Sequence, residues 1–127
     1  MKVDLLNGAN LAYIGDAYFE LFIRKYLLLH RITNLNDLHN RAVQYVSAKS
    51  HNMIIGELVK ILNKEEMNIF KRGRNYKYRS RKNANRIEHI NSTGFEAVIG
   101  YLYLKENFSR LNHLIDHAIA LIEAHNE

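Results

Sequence analysis

Asn10-Leu11-Ala12-Tyr13-Ile14-Gly15-Asp16-Ala17-Tyr18-Phe19-Glu20 is an apolar helical stripe with two acids set beside it. Leu11, Ile14, Ala17, Tyr18, Leu21 and Phe22 recur at the spacing of one helix face, and Asp16 and Glu20, one turn apart, share the neighbouring stripe. A carboxylate next to a core stripe loses hydration unless a cation meets it. Pairing with Arg24 or Lys25 on the helix surface is the ordinary explanation. Leu28 and Leu29 continue the pattern, so the first helix should start between Gly8 and Asn10 and end near His30.

The totals bound what such a helix belongs to. At 127 residues the chain is expected to be one domain. Its net charge of +5 and pI of about 9.5 favour polyanionic partners. The absence of cysteine excludes disulfides, thiolate metal sites and cysteine nucleophiles. No apolar run reaches transmembrane length, and the first residues, Met1 to Gly8, lack the apolar core of a signal peptide. A soluble, cytoplasmic protein without membrane association is the expectation. Proline is absent and there are only 6 glycines, so the turn punctuation of a sheet protein is missing and an all-α fold is predicted.

After a break at Arg31 to Thr33, Asn34 and Asp37 supply a cap and a negative charge for a second helix carrying Leu38, Ala42, Tyr45 and Val46. Ser47 can cap a third, with Met53, Ile54, Leu58, Ile61 and Leu62 on one side. Asn63 and Glu66 have the spacing of a capping box, which predicts a short helix from Lys64 to about Arg72 with Met67 and Phe70 inward. From Lys71 to Arg86 the helical apolar pattern stops. Lys71, Arg72, Arg74, Lys77, Arg79, Arg81, Lys82 and Arg86 come without an intervening acid and are interleaved with Tyr76 and Tyr78. Runs of charge are usually solvated loops; guanidinium groups at this density also suit phosphate oxygens, with the tyrosines available for sugar or base contact. Asn91, Ser92 or Thr93 can cap a further helix through Leu104, in which Glu96 is a second acid beside an apolar stripe. A last helix, capped by Ser109, carries Leu111, Leu114, Ile115, Ala118, Leu121 and Ile122. Its His113 and His117 have a metal-compatible spacing without the glutamate of a zincin motif. No phosphate-binding glycine loop and no Gly-x-Ser-x-Gly nucleophile context occurs.

Taken in order, Leu11-Ala12-Tyr13-Ile14-Gly15-Asp16-Ala17, Val46-Ser47-Ala48-Lys49-Ser50, Phe70-Lys71-Arg72-Gly73-Arg74-Asn75 and Ser92-Thr93-Gly94-Phe95-Glu96-Ala97 resemble the catalytic domain of ribonuclease III. They are most similar to its small bacterial Mini-III branch, which lacks the double-stranded-RNA-binding domain, and the resemblance covers nearly the whole chain. It implies a homodimeric, all-α, magnesium-dependent endonuclease of double-stranded RNA, with Mn²⁺ as a substitute ion. By that resemblance Asp16 and Glu96 match the metal-binding acids, and Asp37 matches the acid that orders the attacking water. The basic segment from about 71 to 86, with Arg72, Arg74, Lys77, Arg79, Arg81, Lys82 and Arg86, corresponds to an RNA-contacting stretch. Two further acids of the longer enzymes are replaced, by Ala12 and Thr93, as in Mini-III. The task implied is maturation of precursor 23S ribosomal RNA, with help from a large-subunit ribosomal protein. Two other functions compete: a non-catalytic double-stranded-RNA-binding ribosome-assembly factor, and a helical DNA-binding regulator that would leave the acids beside the stripes unexplained.

Overall fold

The computed structural model describes residues 1–76 and 85–126. Among these the chain is all α: α1 (Gly8–Leu29), α2 (Leu35–Val46), α3 (Ala48–Leu58), α4 (Lys64–Arg74), α5 (Arg86–Leu104) and α6 (Phe108–His125), with 3-10 turns at Val3–Leu5 and Val59–Ile61 and no strand. No helix among the described residues is long and apolar enough to cross a membrane.

Local chemistry sets most of the boundaries. Asn7 and Asn10 cap each other's backbone at the start of α1, at 2.8 and 3.4 Å. α1 ends where Arg31 takes a φ of 65°, and the Ile32 N–H then reaches back to the Leu27 carbonyl at 3.2 Å, closing the last turn as a left-handed residue after a helix does. The Asn34 side chain accepts from the Asn36 and Asp37 N–H groups at 3.0 and 3.2 Å. Ser47 separates α2 from α3 and accepts from the Ser50 N–H at 3.2 Å, so two helices stand where one rod was the alternative. Asn63 and Glu66 form the expected box.

Three boundaries depart from the sequence expectation. Lys71 to Arg74 belong to the last turn of α4, where cations suit a helix C-terminus, and Arg86 opens α5, as lysine and arginine are good helix formers. Asn91, Ser92 and Thr93 lie inside α5 instead of capping it. Their polar groups find other partners: Asn91 donates to Asn52 at 2.8 Å, Ser92 meets His51, and the Thr93 hydroxyl donates to the His89 carbonyl one turn back at 2.9 Å. α6 is capped by Asn107, not Ser109, since Glu106, at a φ of 58°, has already broken the chain.

α5 is the central helix, packed against α1, α3, α4 and α6. Residues 92–95 and 97–102 are all buried, the pattern of a helix with no solvent face along that stretch. Leu11, Phe19, Ile23 and Leu27 bury one side of α1 against it. The two backbones touch: a Cβ on Gly15 would sit on the Glu96 carbonyl, and one on Gly100 would sit on the Leu11 carbonyl. A buried ion pair fastens α6 to α4. Arg110 donates to both oxygens of Glu66 at 2.8 Å and to the Ile61 carbonyl at 2.6 Å, while Glu66 is 1% exposed. Burial opposes the charge of Glu66, but Arg110 and the Asn63 N–H override it and hold the carboxyl below its ordinary range.

Gly100→Ala should destabilise the fold by ~2 kcal/mol or more: overpacking typically costs about 1–3 kcal/mol and here meets backbone that has nowhere to go, against a gain in helix propensity of under about 1 kcal/mol. Urea unfolding followed by circular dichroism measures this, with Gly56→Ala as the contrasting variant, since nothing lies near a Cβ there.

Candidate active site

The crossing of α1 and α5 determines where the acids meet. Gly15 rests on the backbone of Glu96, so the next residue on α1, Asp16, projects at the edge of the contact beside the Glu96 side chain. The two carboxyls are in hydrogen-bonding contact. Asp16 is exposed and Glu96 half-buried. Burial, then the bond to Asp16, then the charges of Asp16 and Glu20 push the Glu96 carboxyl up to about 9. In the absence of a cation, burial first and the neighbouring acids second disfavour the charged form of Glu96.

Glu20 has the ordinary explanation that Asp16 lacks. Arg24 pairs with Glu20 at 3.3 Å, one turn along α1, and leaves Asp16 to Glu96. Asp37 is exposed in the first turn of α2, where its N–H is held by Asn34. Among the described residues no three Asp, Glu, His or Cys side chains gather as a metal-holding group, so Asp37 is not drawn to the Asp16–Glu96 pair. The positions without acids are closed: Ala12 is 6% exposed and Thr93 is 3% exposed. His113 and His117 stack along α6 with ring centroids 6.0 Å apart and no third ligand gathers with them.

The basic residues divide. Arg72 reaches the N-terminal turn, donating to the Asp4 and Leu6 carbonyls at 3.2 and 3.1 Å, and the Arg74 guanidinium lies 5.9 Å from the Phe70 ring centroid. Arg86 is exposed at the start of α5. Lys77, Arg79, Arg81 and Lys82 lie outside the described residues.

Sequence reasoning passed over one buried residue between α1 and α5. His51 of α3 is fully buried, its Nδ1 is 2.7 Å from the Ser92 hydroxyl, and its Nε2 has no hydrogen-bond partner. A buried polar atom left so costs about 1–3 kcal/mol. Burial pushes the imidazole down to about 4, against weaker opposing contributions from the Tyr45 carbonyl and Asp16, so it is neutral at pH 7. No motif marks His51 in the sequence; only its place between α1 and α5 does.

With this geometry in hand, the comparison with known proteins is decisive. The family model described as "Ribonuclease III domain" matches residues 9–107. The chain belongs to the ribonuclease III family. Curated proteins named Mini-ribonuclease 3 are similar over nearly its full length: that of Streptococcus pneumoniae is 42% identical over 126 residues, 97% of this chain and 98% of that protein. That of Clostridium tetani is 45% identical over 126 residues, 96% of this chain and 83% of the relative. A crystal structure of a Fusobacterium nucleatum protein, 32% identical, superposes with a TM-score of 0.79 over 91% of this chain and 93% of that one. The expected fold, the Mini-III resemblance and an endoribonuclease of the ribonuclease III family are thereby borne out.

The carboxyl pair makes a prediction about pH. The unfolded chain releases the Glu96 proton near its ordinary value of 4.5, whereas the folded chain keeps it to about 9. Between those values the native state binds more protons than the unfolded state, so this group's contribution makes stability fall as pH rises. Glu96→Gln should raise the urea midpoint in metal-free buffer at about pH 8 more than at about pH 5, flattening the slope. An unchanged slope would mean that the fold does not hold the Glu96 carboxyl above its ordinary value.

Proposed function

We propose that this chain cleaves double-stranded RNA by metal-dependent hydrolysis, with Asp16 and Glu96 holding the cation, and that precursor 23S ribosomal RNA is its natural substrate. The observation that carries this is the contact between two carboxyls from separate helices inside a ribonuclease III domain. The donor set fits a hard divalent cation such as Mg²⁺. The ion would take the place of the Glu96 proton and relieve the repulsion, and two carboxylates with the remaining positions left to water is a customary Mg²⁺ arrangement. Mn²⁺ has the same oxygen preference.

When bound, such an ion supplies Lewis acidity toward a phosphodiester and lowers the pKa of coordinated water. The chain's own residues do the rest. Asp16 and Glu96 would hold the ion at the crossing of α1 and α5, while Asp37, exposed and apart from the pair, would order the attacking water from α2. Water oxygen bonds to phosphorus and releases a proton to solvent as the bond to the 3′-oxygen breaks, and the departing 3′-oxygen takes up a proton from solvent. The products are a 5′-phosphate and a 3′-hydroxyl.

RNA is held by the basic stretch. Arg74, Lys77, Arg79, Arg81, Lys82 and Arg86 are the residues proposed to bind phosphates, and Arg72 would combine that task with securing the N-terminal turn. A duplex in A form is gripped through phosphates and 2′-hydroxyls and not read by sequence, which suits a dense run of basic residues. A homodimer puts one carboxyl pair on each strand. Its apolar contact draws on α1, where Tyr13 is 79%, Leu21 65% and Leu29 71% exposed. Phe19, on the same helix, is 1% exposed and belongs to the core. A large-subunit ribosomal protein is proposed to present the RNA, in the cytoplasm.

With Mg²⁺, the protein should cut a long RNA duplex, and Asp16→Asn should lower cleavage by at least about 1000-fold while the circular dichroism spectrum is kept; comparable cutting by that variant removes Asp16 from the site. Replacing Arg79, Arg81 and Lys82 by alanine should raise KM at about 0.1 M salt with kcat little changed, and reduce the slope of log affinity against log salt by roughly 0.7–0.9 for each phosphate that is no longer neutralised.

A further inference from the structure

His51 is the buried histidine that the proposed chemistry leaves unused. Its ring meets Phe19 nearly edge to face with centroids 5.3 Å apart and lies 4.6 Å from that of Phe95, while Phe19 and Phe95 meet edge to face at 5.2 Å. Phe19 stands one turn beyond Asp16 on α1, and Phe95 immediately precedes Glu96 on α5. Ser92, whose hydroxyl is 2.7 Å from Nδ1 of His51, lies one turn before Glu96. The cluster therefore touches each helix close in sequence to its acid. Phenylalanine could fill the space; what histidine adds is the bond to Ser92.

We propose that His51 is a positioning residue for the carboxyl pair: by holding Ser92 and packing against Phe19 and Phe95, it fixes the rotation of α5 against α1 so that Glu96 faces Asp16. His51 touches neither RNA nor cation. It acts as the outer partners of metal sites do, by orienting a ligand whose own rotation would otherwise be loose. Being neutral at pH 7, it orients without adding charge. The catalytic consequence rests on the nuclease reading above; the geometric one is measurable without RNA.

The test uses the full chain as parent and as His51→Phe, His51→Asn and Ser92→Ala variants. Three quantities are measured: cooperative unfolding, Mn²⁺ affinity without RNA, and cleavage of an RNA duplex as a function of Mg²⁺. His51→Phe keeps the ring and removes the bond; His51→Asn keeps a polar atom where Nδ1 stood and removes the ring. The expected result is Mn²⁺ affinity about 10- to 100-fold weaker in His51→Phe and Ser92→Ala, with cleavage moved to higher Mg²⁺ by a similar factor. His51→Asn should recover most of that affinity although it melts lower. Parent-like Mn²⁺ affinity in both His51→Phe and Ser92→Ala, with only their melting changed, overturns the inference and leaves a packing role. Should His51→Phe fail to fold, Ser92→Ala, which removes a single oxygen, decides alone. A parent whose Mn²⁺ affinity depends on His51 but which cuts no duplex overturns the nuclease reading and upholds the inference; a parent that binds no Mn²⁺ overturns the inference.

Discussion

Two glycines, Gly15 on α1 and Gly100 on α5, let the backbones of the two longest helices among the described residues touch. Everything functional about the domain depends on that contact. Side chains of ordinary size would hold the helices farther apart, and the carboxyls of Asp16 and Glu96 would face solvent separately. At backbone contact they meet, and Glu96 holds a proton that an ordinary glutamate loses. The stability of the crossing comes from apolar burial on either side of the glycines, with Leu11, Phe19 and Ile23 on α1 and Val98, Ile99 and Leu102 on α5 all buried. That core supplies the free energy that holds two like charges together.

The pair stands out because the other acids drawn into contacts across the fold have positive or hydroxyl partners. Glu66 receives both arms of Arg110. Glu123 accepts from Tyr26 and Tyr45 at 2.7 and 2.8 Å, tying α6 to α1 and α2. Asp4 accepts from Tyr101 and Lys105 at 3.1 and 2.8 Å, and the Arg72 bonds to the same turn close the N-terminus against α4. These contacts are structural, and their partners are internal. Among the described residues Asp16 and Glu96 form no ion pair and meet each other, an arrangement that makes sense when a cation completes it.

Capping chemistry is local, and it was legible. Asn34, Ser47 and the Asn63–Glu66 pair mark helix starts because their side chains satisfy N–H groups two or three residues away, whatever the rest of the chain does. Legibility ended where a residue with capping ability was satisfied by something distant or by its own helix, as Ser92 is by His51 and Thr93 by the His89 carbonyl. The end of α4 was also set too early, since a dense run of basic residues looks like solvated loop although lysine and arginine propagate a helix well. The partner of Arg110 was invisible for the same reason as that of Ser92: 44 residues separate it from Glu66.

By itself, then, the sequence determined the all-α class, most helix starts, and the placing of Asp16 and Glu96 beside apolar stripes, because each follows from spacings within a few residues. Tertiary structure alone decided that Asp16 meets Glu96, that Phe19 lies in the core, and that His51 packs between α1 and α5. Those outcomes depend on the angle and closeness of helices far apart in the chain. Backbone contact at the glycines sets them, and no periodicity within one helix contains it.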